Sequence, residues 1–459
     1  MDSLNFDTNN MHRFTVCETH LMLDINSGTV HLLDEISWGV LEALEQHHGN
    51  ISEVLIVLSS EHSKEEVMEV LGELKELKEQ GLLGSEAVHH DFTPDYELKS
   101  LCLNVSHDCN LRCRYCFAGT GHFGGSRSLM ELETGRAAID LLLKESKRHF
   151  CELDFFGGEP LLNFNVVKEL VSYGKEKAKL YQKEIRFTLT TNATLLDDEM
   201  ISFLNREGMQ VVLSLDGRKT VHDAKRPVPG GGGSYEETVS RIQRFAASGH
   251  SDYYVRGTFT SDNLDFSKDV LHLLELGLND ISLEPVVTEH GKSYVLKEEH
   301  LPKLEAEYER LAQIYLEHWS KGKPFNFFHF NVSLDGGPCL PKRLTNCGAG
   351  YQYLAVAPNG KLYPCHQFVE QEEYLLGNVW EGINRSDISD RFRRNTVQHK
   401  QKCASCWARY HCSGGCQANS HLLHGKIEAA DALSCSLMKK RLECALYVQA
   451  RMKLNKMEG

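Results

Sequence analysis

Two rhythms divide the chain. Over residues 12–33 the apolar positions fall into short runs, His12–Cys17, His20–Ile25 and Thr29–Leu33, separated by tight turns, the second at Asn26-Ser27-Gly28. Such runs bounded by turn residues predict strands. Helical spacing follows over residues 34–46 and about 51–59. It continues over Ser63–Gln80, where Ser63 with Glu66 three residues later makes a capping box and Gly81 a C-terminal stop. His89–Lys99 reads as a linker. From residue 100 to about residue 290 the rhythm changes. Strand-like runs Leu101–Val105, Glu152–Phe156, Arg186–Thr190, Met209–Leu215, Tyr253–Phe259 and Asp280–Val286 alternate with helical patterns such as Glu131–Lys147, Phe164–Gln182, Tyr235–Ala247 and Phe266–Leu276. Six β/α alternations predict an α/β fold with a parallel sheet. Six units are too few for a complete eight-stranded barrel, so an open, partial (β/α)6 barrel is expected. Residues 295–335 carry one long polar helix, about Lys297–Trp319, and about 440–459 a helical tail. Gly230–Gly233, flanked by Pro227 and Pro229, predicts a loop over the barrel mouth.

Composition narrows the function classes. The 459 residues are 41% hydrophobic and 25% charged, with a net charge of −14. That acidity argues against a nucleic-acid partner, which calls for a basic excess. No apolar run approaches the roughly 18 residues of a membrane span, and the polar start MDSLNFDTNNMHRF lacks a signal peptide's apolar stretch. A cytoplasmic location with no membrane partner is therefore expected. Fifteen cysteines are many for such a location. Clustered there, they point to metal or chemistry rather than disulfides.

Cys109, Cys113 and Cys116 form C-x3-C-x2-C directly after the first barrel strand. A [4Fe-4S] cube takes four thiolates. Three on one loop leave one iron open to a chelating ligand, and the spacing does not offer the paired C-x2-C of a zinc site. Gly157-Gly158-Glu159-Pro160 follows the second strand. Its glycines permit close backbone approach to a ligand, and the anionic Glu159 suits a cationic amine. Gly119-Thr120-Gly121-His122-Phe123-Gly124 spells G-x-G-x-x-G, but it trails the cysteine loop instead of joining a strand to a helix, so a dinucleotide role is not expected.

The cysteine spacing, with Tyr115 before the last cysteine, and the GGEP turn resemble the radical S-adenosylmethionine (SAM) superfamily. The resemblance implies a partial TIM-like barrel in which Cys109, Cys113 and Cys116 are catalytic through their [4Fe-4S] cluster. SAM chelates its open iron and Gly157, Gly158, Glu159 and Pro160 contact the SAM amine. Tyr115 beside the last cysteine, Thr190, Asn192, Ser214 and Asp216 at later strand ends, and Arg256 and Glu284 in strands five and six resemble places that contact SAM or substrate in that family.

Cys347 and Cys365 stand as C-x12-G-x4-C, and Cys403-x2-Cys406-x5-Cys412-x3-Cys416 precedes Cys435 by 18 residues. This array resembles the SPASM domain and implies two auxiliary [4Fe-4S] clusters. Cys403, Cys406, Cys412 and Cys435 would hold the second; Cys347, Cys365 and Cys416 would serve the first. Cys339 could supply its fourth ligand, or that iron could stay open for a substrate thiolate. His366 and His411 read as neighbours of ligands.

Strands followed by helices near the N-terminus resemble the winged-helix-like peptide-recognition element of natural-product maturases, which takes up a leader peptide by strand addition. The strings Leu23-Asp24-Ile25-Asn26-Ser27-Gly28, Tyr254-Val255-Arg256-Gly257-Thr258-Phe259, Pro364-Cys365-His366-Gln367-Phe368 and Cys406-Trp407-Ala408-Arg409 are similar to the thioether-forming maturases of ranthipeptides, the SCIFF type. The implied layout is a leader-binding domain at 1–92, the barrel at 93–295, a helical bridge at 296–338, the SPASM domain at 339–440 and a helical tail at 441–459. The implied activity joins a cysteine sulfur to a carbon of the same precursor peptide through a 5′-deoxyadenosyl radical. A precursor with a leader and a cysteine-containing core is the implied partner, and a flavodoxin or ferredoxin the electron donor. Formylglycine formation and carbon–carbon cross-linking are the enzymatic alternatives; a zinc-binding scaffold without catalysis is the alternative of another class. Under reducing, anaerobic conditions with SAM the chain is expected to release 5′-deoxyadenosine, detectable by chromatography. Its absence from cluster-loaded protein would refute the radical reading.

Overall fold

The computed structural model describes residues 3–86, 92–289, 291–334 and 340–458. The N-terminal strands are β1 (Met11–Val16), β2 (Thr19–Asp24) and β3 (Val30–Leu33), paired antiparallel in that order. Three helices follow: α1 (Glu35–Gln46), α2 (Ile51–Leu58) and α3 (Lys64–Glu79). Each starts where a side chain caps it, at Asp34, Asn50 and Ser63, and the Ser63–Glu66 capping box is formed. One face of the sheet packs Met22 against Val40, Val54, Val67 and Leu71 of the helices. The opposite face sends Phe14, Val16, Leu21 and Leu23 into the core of the rest of the chain.

The barrel runs β4 (Ser100–Ser106), α4 (Leu132–Glu145), β5 (Phe150–Gly157), α5 (Phe164–Leu180), β6 (Glu184–Thr191), α6 (Asp198–Glu207), β7 (Gln210–Ser214), α7 (Lys219–Lys225), α8 (Tyr235–Ala247), β8 (Tyr253–Phe259), α9 (Ser267–Glu275) and β9 (Asp280–Pro285). All six strands pair in parallel. Alternate positions such as Leu153, Phe155, Leu189, Val211 and Leu213 face the helices and form the core. The intervening positions line the inside of the open barrel. This is the expected partial barrel, but its sheet runs further than the six-fold rhythm implied. The two-residue β10 (Asn326–Phe327), after α10 (Leu301–Ser320), adds in parallel beside β9. At the other edge β11 (Tyr353–Val356), which follows α11 (Leu340–Thr345), pairs in parallel with β4 and continues into β12 (Lys361–Tyr363), β13 (Gly377–Asn378) and β14 (Gly382–Ile383). A two-residue strand carries no periodicity, and β11 lies about 250 residues from its partner, so neither pairing shows as a local pattern.

The cysteine-rich segment continues through α12 (Ser386–Arg394), α13 (Gln401–Ala404), α14 (Arg409–Cys412) and α15 (Gln417–His424). It ends in α16 (Ala432–Glu458), a single helix of 27 residues. The boundary expected at residue 440 therefore falls inside a continuous helix. No Gly or Pro interrupts its propagation, and it packs lengthwise on α10, where Leu442, Leu446 and Val448 are buried. No helix among the described residues is long and apolar enough to cross a membrane. Tight strand contacts set the barrel's curvature. A Cβ on Gly257 of β8 would stand 2.5 Å from the Leu215 carbonyl oxygen, with backbone that cannot yield cheaply. Gly257→Ala is expected to destabilise the chain by about 3 kcal/mol, at the upper end for overpacking, measured as a lower thermal midpoint.

Candidate functional site

The loop after β4 is fastened on every side before its thiols are considered. Gly158 N–H donates to the Ser106 carbonyl at 2.7 Å and Glu159 N–H to the Asp108 carbonyl at 2.8 Å, tying the turn after β5 to the loop after β4. A Cβ on Gly158 would lie 2.2 Å from Asp108 O, so only glycine permits this approach. Arg112 N–H and Arg114 N–H donate to the carbonyls of Pro227 and Lys225, each at 2.8 Å, and Tyr294 Oη donates to Arg114 O at 2.6 Å. Arg127 pairs with Asp108. The G-x-G-x-x-G string is also packing: Gly121, at φ +102°, would place a Cβ 2.9 Å from that of Cys109.

Cys109, Cys113 and Cys116 project from this loop. Burial pushes the Cys109 thiol up to about 12, helped by Glu159, and burial pushes Cys113 up to about 11. As free thiols these groups are protonated and inert; a cation among them would convert them to thiolates. Leu111 N–H already points at Cys109 Sγ from 3.4 Å and Asn192 Nδ2 from 3.8 Å, donors suited to a thiolate.

Glu159 and Asp216, both expected to contact a ligand, each hold the surrounding backbone in place. Glu159 is completely buried, and its carboxylate accepts from Leu161 N–H, Thr191 Oγ1 and Asn192 N–H at 2.8–3.0 Å. Burial raises it to about 7 against those bonds. Asp216, also completely buried, accepts two bonds from Arg226 at 3.1 Å, one from Tyr115 Oη at 2.6 Å and one from Thr258 N–H at 3.1 Å. Burial would raise its carboxyl, but the guanidinium outweighs that and holds it below the usual range. Four donors engage the Asp216 carboxylate, which thereby orients Tyr115 and Arg226. Sequence reasoning missed Arg226. It sits in an irregular segment before Pro227, where no periodicity marks it.

Thr190 and Ser214 stand at the ends of β6 and β7 on the inward face, half-buried, with no side-chain hydrogen bond to protein among the described residues. Arg256 Nη2 and Glu284 Oε2 form an ion pair at 2.6 Å across β8 and β9. Surrounded by protein yet open to solvent, the pair lines the interior of the barrel. Deeper inside, Asp154 of β5 is raised to about 7 by burial and by Glu152, and bonds to Thr188.

The later cysteines fall into two groups. Cys365 feels Cys416 and Cys347 as its thiol neighbours, whereas Cys412 and Cys435 feel Cys403 and Cys406. A cavity of about 640 Å³ is lined by Cys403, Cys406, Cys412, Cys416 and Cys435 and reaches Glu284 and Pro285 of the barrel. A cleft of about 540 Å³ opens between Tyr115, Cys116 and Phe117 of the loop and Gln367 and Phe368 after Cys365. Cys339 lies outside the described residues. Among the described residues no three His, Cys, Asp or Glu side chains close in as tightly as a single ion demands. Wider-set thiols are the requirement of a four-iron cube, where each thiolate binds its own corner. The residues thus fit iron–sulfur clusters: three thiols on a pinned loop, one later cysteine group lining a cavity and a second group around Cys365.

Residues 103–272 match the model of the radical SAM superfamily, and 347–407 that of SPASM, an iron-sulfur cluster-binding domain. The chain is 26% identical to a cysteine-type anaerobic sulfatase-maturating enzyme of Clostridium perfringens, over 70% of this chain and 89% of that one. It is 30% identical to an uncharacterized protein of Methanocaldococcus jannaschii, over 42% of this chain and 65% of that protein's length. Its fold is that of native anSMEcpe with bound AdoMet and Kp18Cys peptide, at TM-score 0.66 and 22% identity over 78% of this chain and 99% of that one. The fold of Streptococcus suis SuiB bound to precursor peptide SuiA aligns at TM-score 0.51 and 17% identity, over 94% of this chain and 99% of that one. The chain accordingly has the radical SAM TIM-like α/β fold with a C-terminal SPASM domain. SAM and [4Fe-4S] clusters are the cofactors that these domains imply.

The barrel interior supplies a pH test. Folding raises the Asp154 pKa to about 7. Its contribution is therefore full below the unfolded value of about 4 and lost as pH rises to about 7. Asp154→Asn should be more stable than the parent at about pH 8, by up to about 4 kcal/mol, with the gap closing near pH 4. Paired thermal midpoints across that range test it; a constant gap would sink it.

Proposed function

We propose that this radical SAM and SPASM chain is a peptide maturase that forms intramolecular thioethers in a ribosomally made precursor. The observation that carries the reading is the cleft between Cys116 and the Gln367–Phe368 segment. Its walls are the loop that carries Cys116 and the segment that follows Cys365, so a peptide threaded between them would run past both. Two fold relatives are described with peptides bound, which supports a peptide occupant. The fold alignment with SuiB covers 94% of this chain, and the N-terminal sheet has an edge strand at each side for a leader to join.

SAM bound with a reduced cluster at Cys109, Cys113 and Cys116 supplies the 5′-deoxyadenosyl radical. The chain's own residues position the reactants. The carbonyl of Asp108, held by Glu159 N–H, fixes the cysteine loop, and Gly157–Gly158 let the two turns pack backbone to backbone. Tyr115, locked by Asp216, presents a fixed ring. Thr190 and Ser214 offer free hydroxyls, Asn192 an amide, and the Arg256–Glu284 pair a charged anchor for a backbone or side chain inside the barrel. Holding thiol and acceptor carbon together makes the coupling effectively unimolecular. As the carbon–sulfur bond forms, each bridge would pass one hydrogen atom from carbon to the 5′-deoxyadenosyl radical, the thiol proton to solvent and one electron to the first auxiliary cluster. Three [4Fe-4S] clusters, with Cys339 or a substrate thiolate completing the first auxiliary one, a cytoplasmic setting and a flavodoxin- or ferredoxin-type donor complete the proposal.

The likeness to a sulfatase-maturating enzyme favours formylglycine formation as the second reading. Anaerobic incubation with the cysteine-rich precursor encoded beside this chain, followed by tandem mass spectrometry, separates them. The expected product has lost two hydrogens per bridge and kept its sulfur; loss of sulfur supports formylglycine. Iron analysis should find about twelve irons per chain, the content of three four-iron clusters. Fewer than about eight would count against three.

A further inference from the structure

The inner face of the N-terminal sheet does more than pack. The His12 imidazole of β1 lies flat on the Trp407 indole, ring centroids 3.8 Å apart and planes 8° from parallel. Trp407 directly follows Cys406. The same imidazole's Nε2 is 2.9 Å from Glu443 Oε1 on α16, the helix whose first turn carries Cys435. From the β2–β3 turn, Asn26 Oδ1 accepts from Arg409 Nη2 at 2.7 Å, and Arg409 Nη1 reaches the Cys406 carbonyl at 3.3 Å. The hairpin is held to this neighbourhood against its own preference. Cys17 and Glu18 take φ of +47° and +61°, a region unfavourable to both residue types. In that turn Cys17 Sγ donates to the Glu309 carbonyl of α10 at 3.7 Å.

We infer that His12 and Asn26 are positioning residues for the second auxiliary cluster, and that a peptide held on the N-terminal sheet is linked through them to that cluster's electron affinity. Two contacts run from the sheet to the Cys406 segment and one to the helix of Cys435. Cluster potentials respond to hydrogen bonding and solvent around the thiolates. A strand added to the sheet that shifts β1 or the β2–β3 turn changes both. Linkage is reciprocal, so the reduced and oxidised cluster then hold the peptide with different affinity. The inference rests on the proposed peptide substrate.

The test is an anaerobic redox titration of the holoenzyme, followed by electron paramagnetic resonance, with and without the cysteine-rich precursor. In the parent chain one of the cluster midpoints should move when the peptide is added. In His12→Ala that midpoint should start from a different value and no longer move, with iron content retained. Trp407→Phe, which keeps a stacked ring, should preserve the response. If His12→Ala does not load its clusters, Asn26→Ala makes the same comparison with the stack intact, and its response should be reduced. A parent midpoint indifferent to peptide, or variants that track the parent in both states, overturns the inference. Intact linkage without a thioether product would instead overturn the proposed chemistry and leave this inference standing.

Discussion

Asp216 is the constraint on which the site depends. Its buried carboxylate draws together Arg226 after α7, Tyr115 on the cysteine loop and the Thr258 amide of β8. The anion is tolerable in that position because a guanidinium faces it and every acceptor site is used; removing one partner from such a buried pair costs about 3–5 kcal/mol. The consequences spread outward. Arg226 is fixed over the Tyr115 ring, 5.4 Å from its centroid, and places a positive charge near Cys113. The backbone flanking Arg226 in turn accepts the amides of Arg112 and Arg114. The loop's shape is therefore tied to the barrel wall.

Glu159 plays the matching part at the next strand. It joins the turn after β5 to the end of β6 and lifts Asn192 between Asn110 and Cys109. Two buried carboxylates thus immobilise one loop from opposite sides. The difference between them is instructive. Asp216 faces a cation and stays ionised, while Glu159 faces only neutral donors and is raised to about 7. A ligand amine brought beside Glu159 would add the missing positive charge, so the turn is electrostatically incomplete by itself in a way the Asp216 pin is not.

Legibility in the sequence followed the range of the interaction. Strands β4–β9, the capping box at Ser63 and the cysteine spacings are local, and they read directly from period and spacing. The strand-end placement of Thr190, Asn192, Ser214, Arg256 and Glu284 was also legible, because a β/α rhythm fixes which end of a strand is the barrel mouth. What those side chains do was not. The inward face pairs Arg256 with Glu284, closes Asp216 on Arg226 and leaves Thr190 and Ser214 free, and each outcome depends on residues tens of positions away. The same range effect hid β11 beside β4 and the unbroken run of α16 through residue 440. Cys17 shows a different limit: it looks like any scattered small hydrophobe, yet it sits in a strained turn and bonds across to α10.

The extended sheet gives a physical reason for the order of domains. Because β11 pairs with β4, the strand that leads into Cys109 and the strands that frame Cys365 belong to one hydrogen-bonded surface. The distance between the two cysteine centres is then a property of sheet geometry, not of a linker, and cannot drift as separate domains would. Helix α16 closes the arrangement from the other side. It begins at Ala432, carries Cys435 in its first turn, runs along α10 and meets β1 through Glu443, so the helix that carries a cysteine of the second group also seats the N-terminal sheet. Two cysteine centres that act together need to be rigid relative to each other and tied to the N-terminal sheet. Parallel strand pairing supplies the first requirement and a single long helix the second.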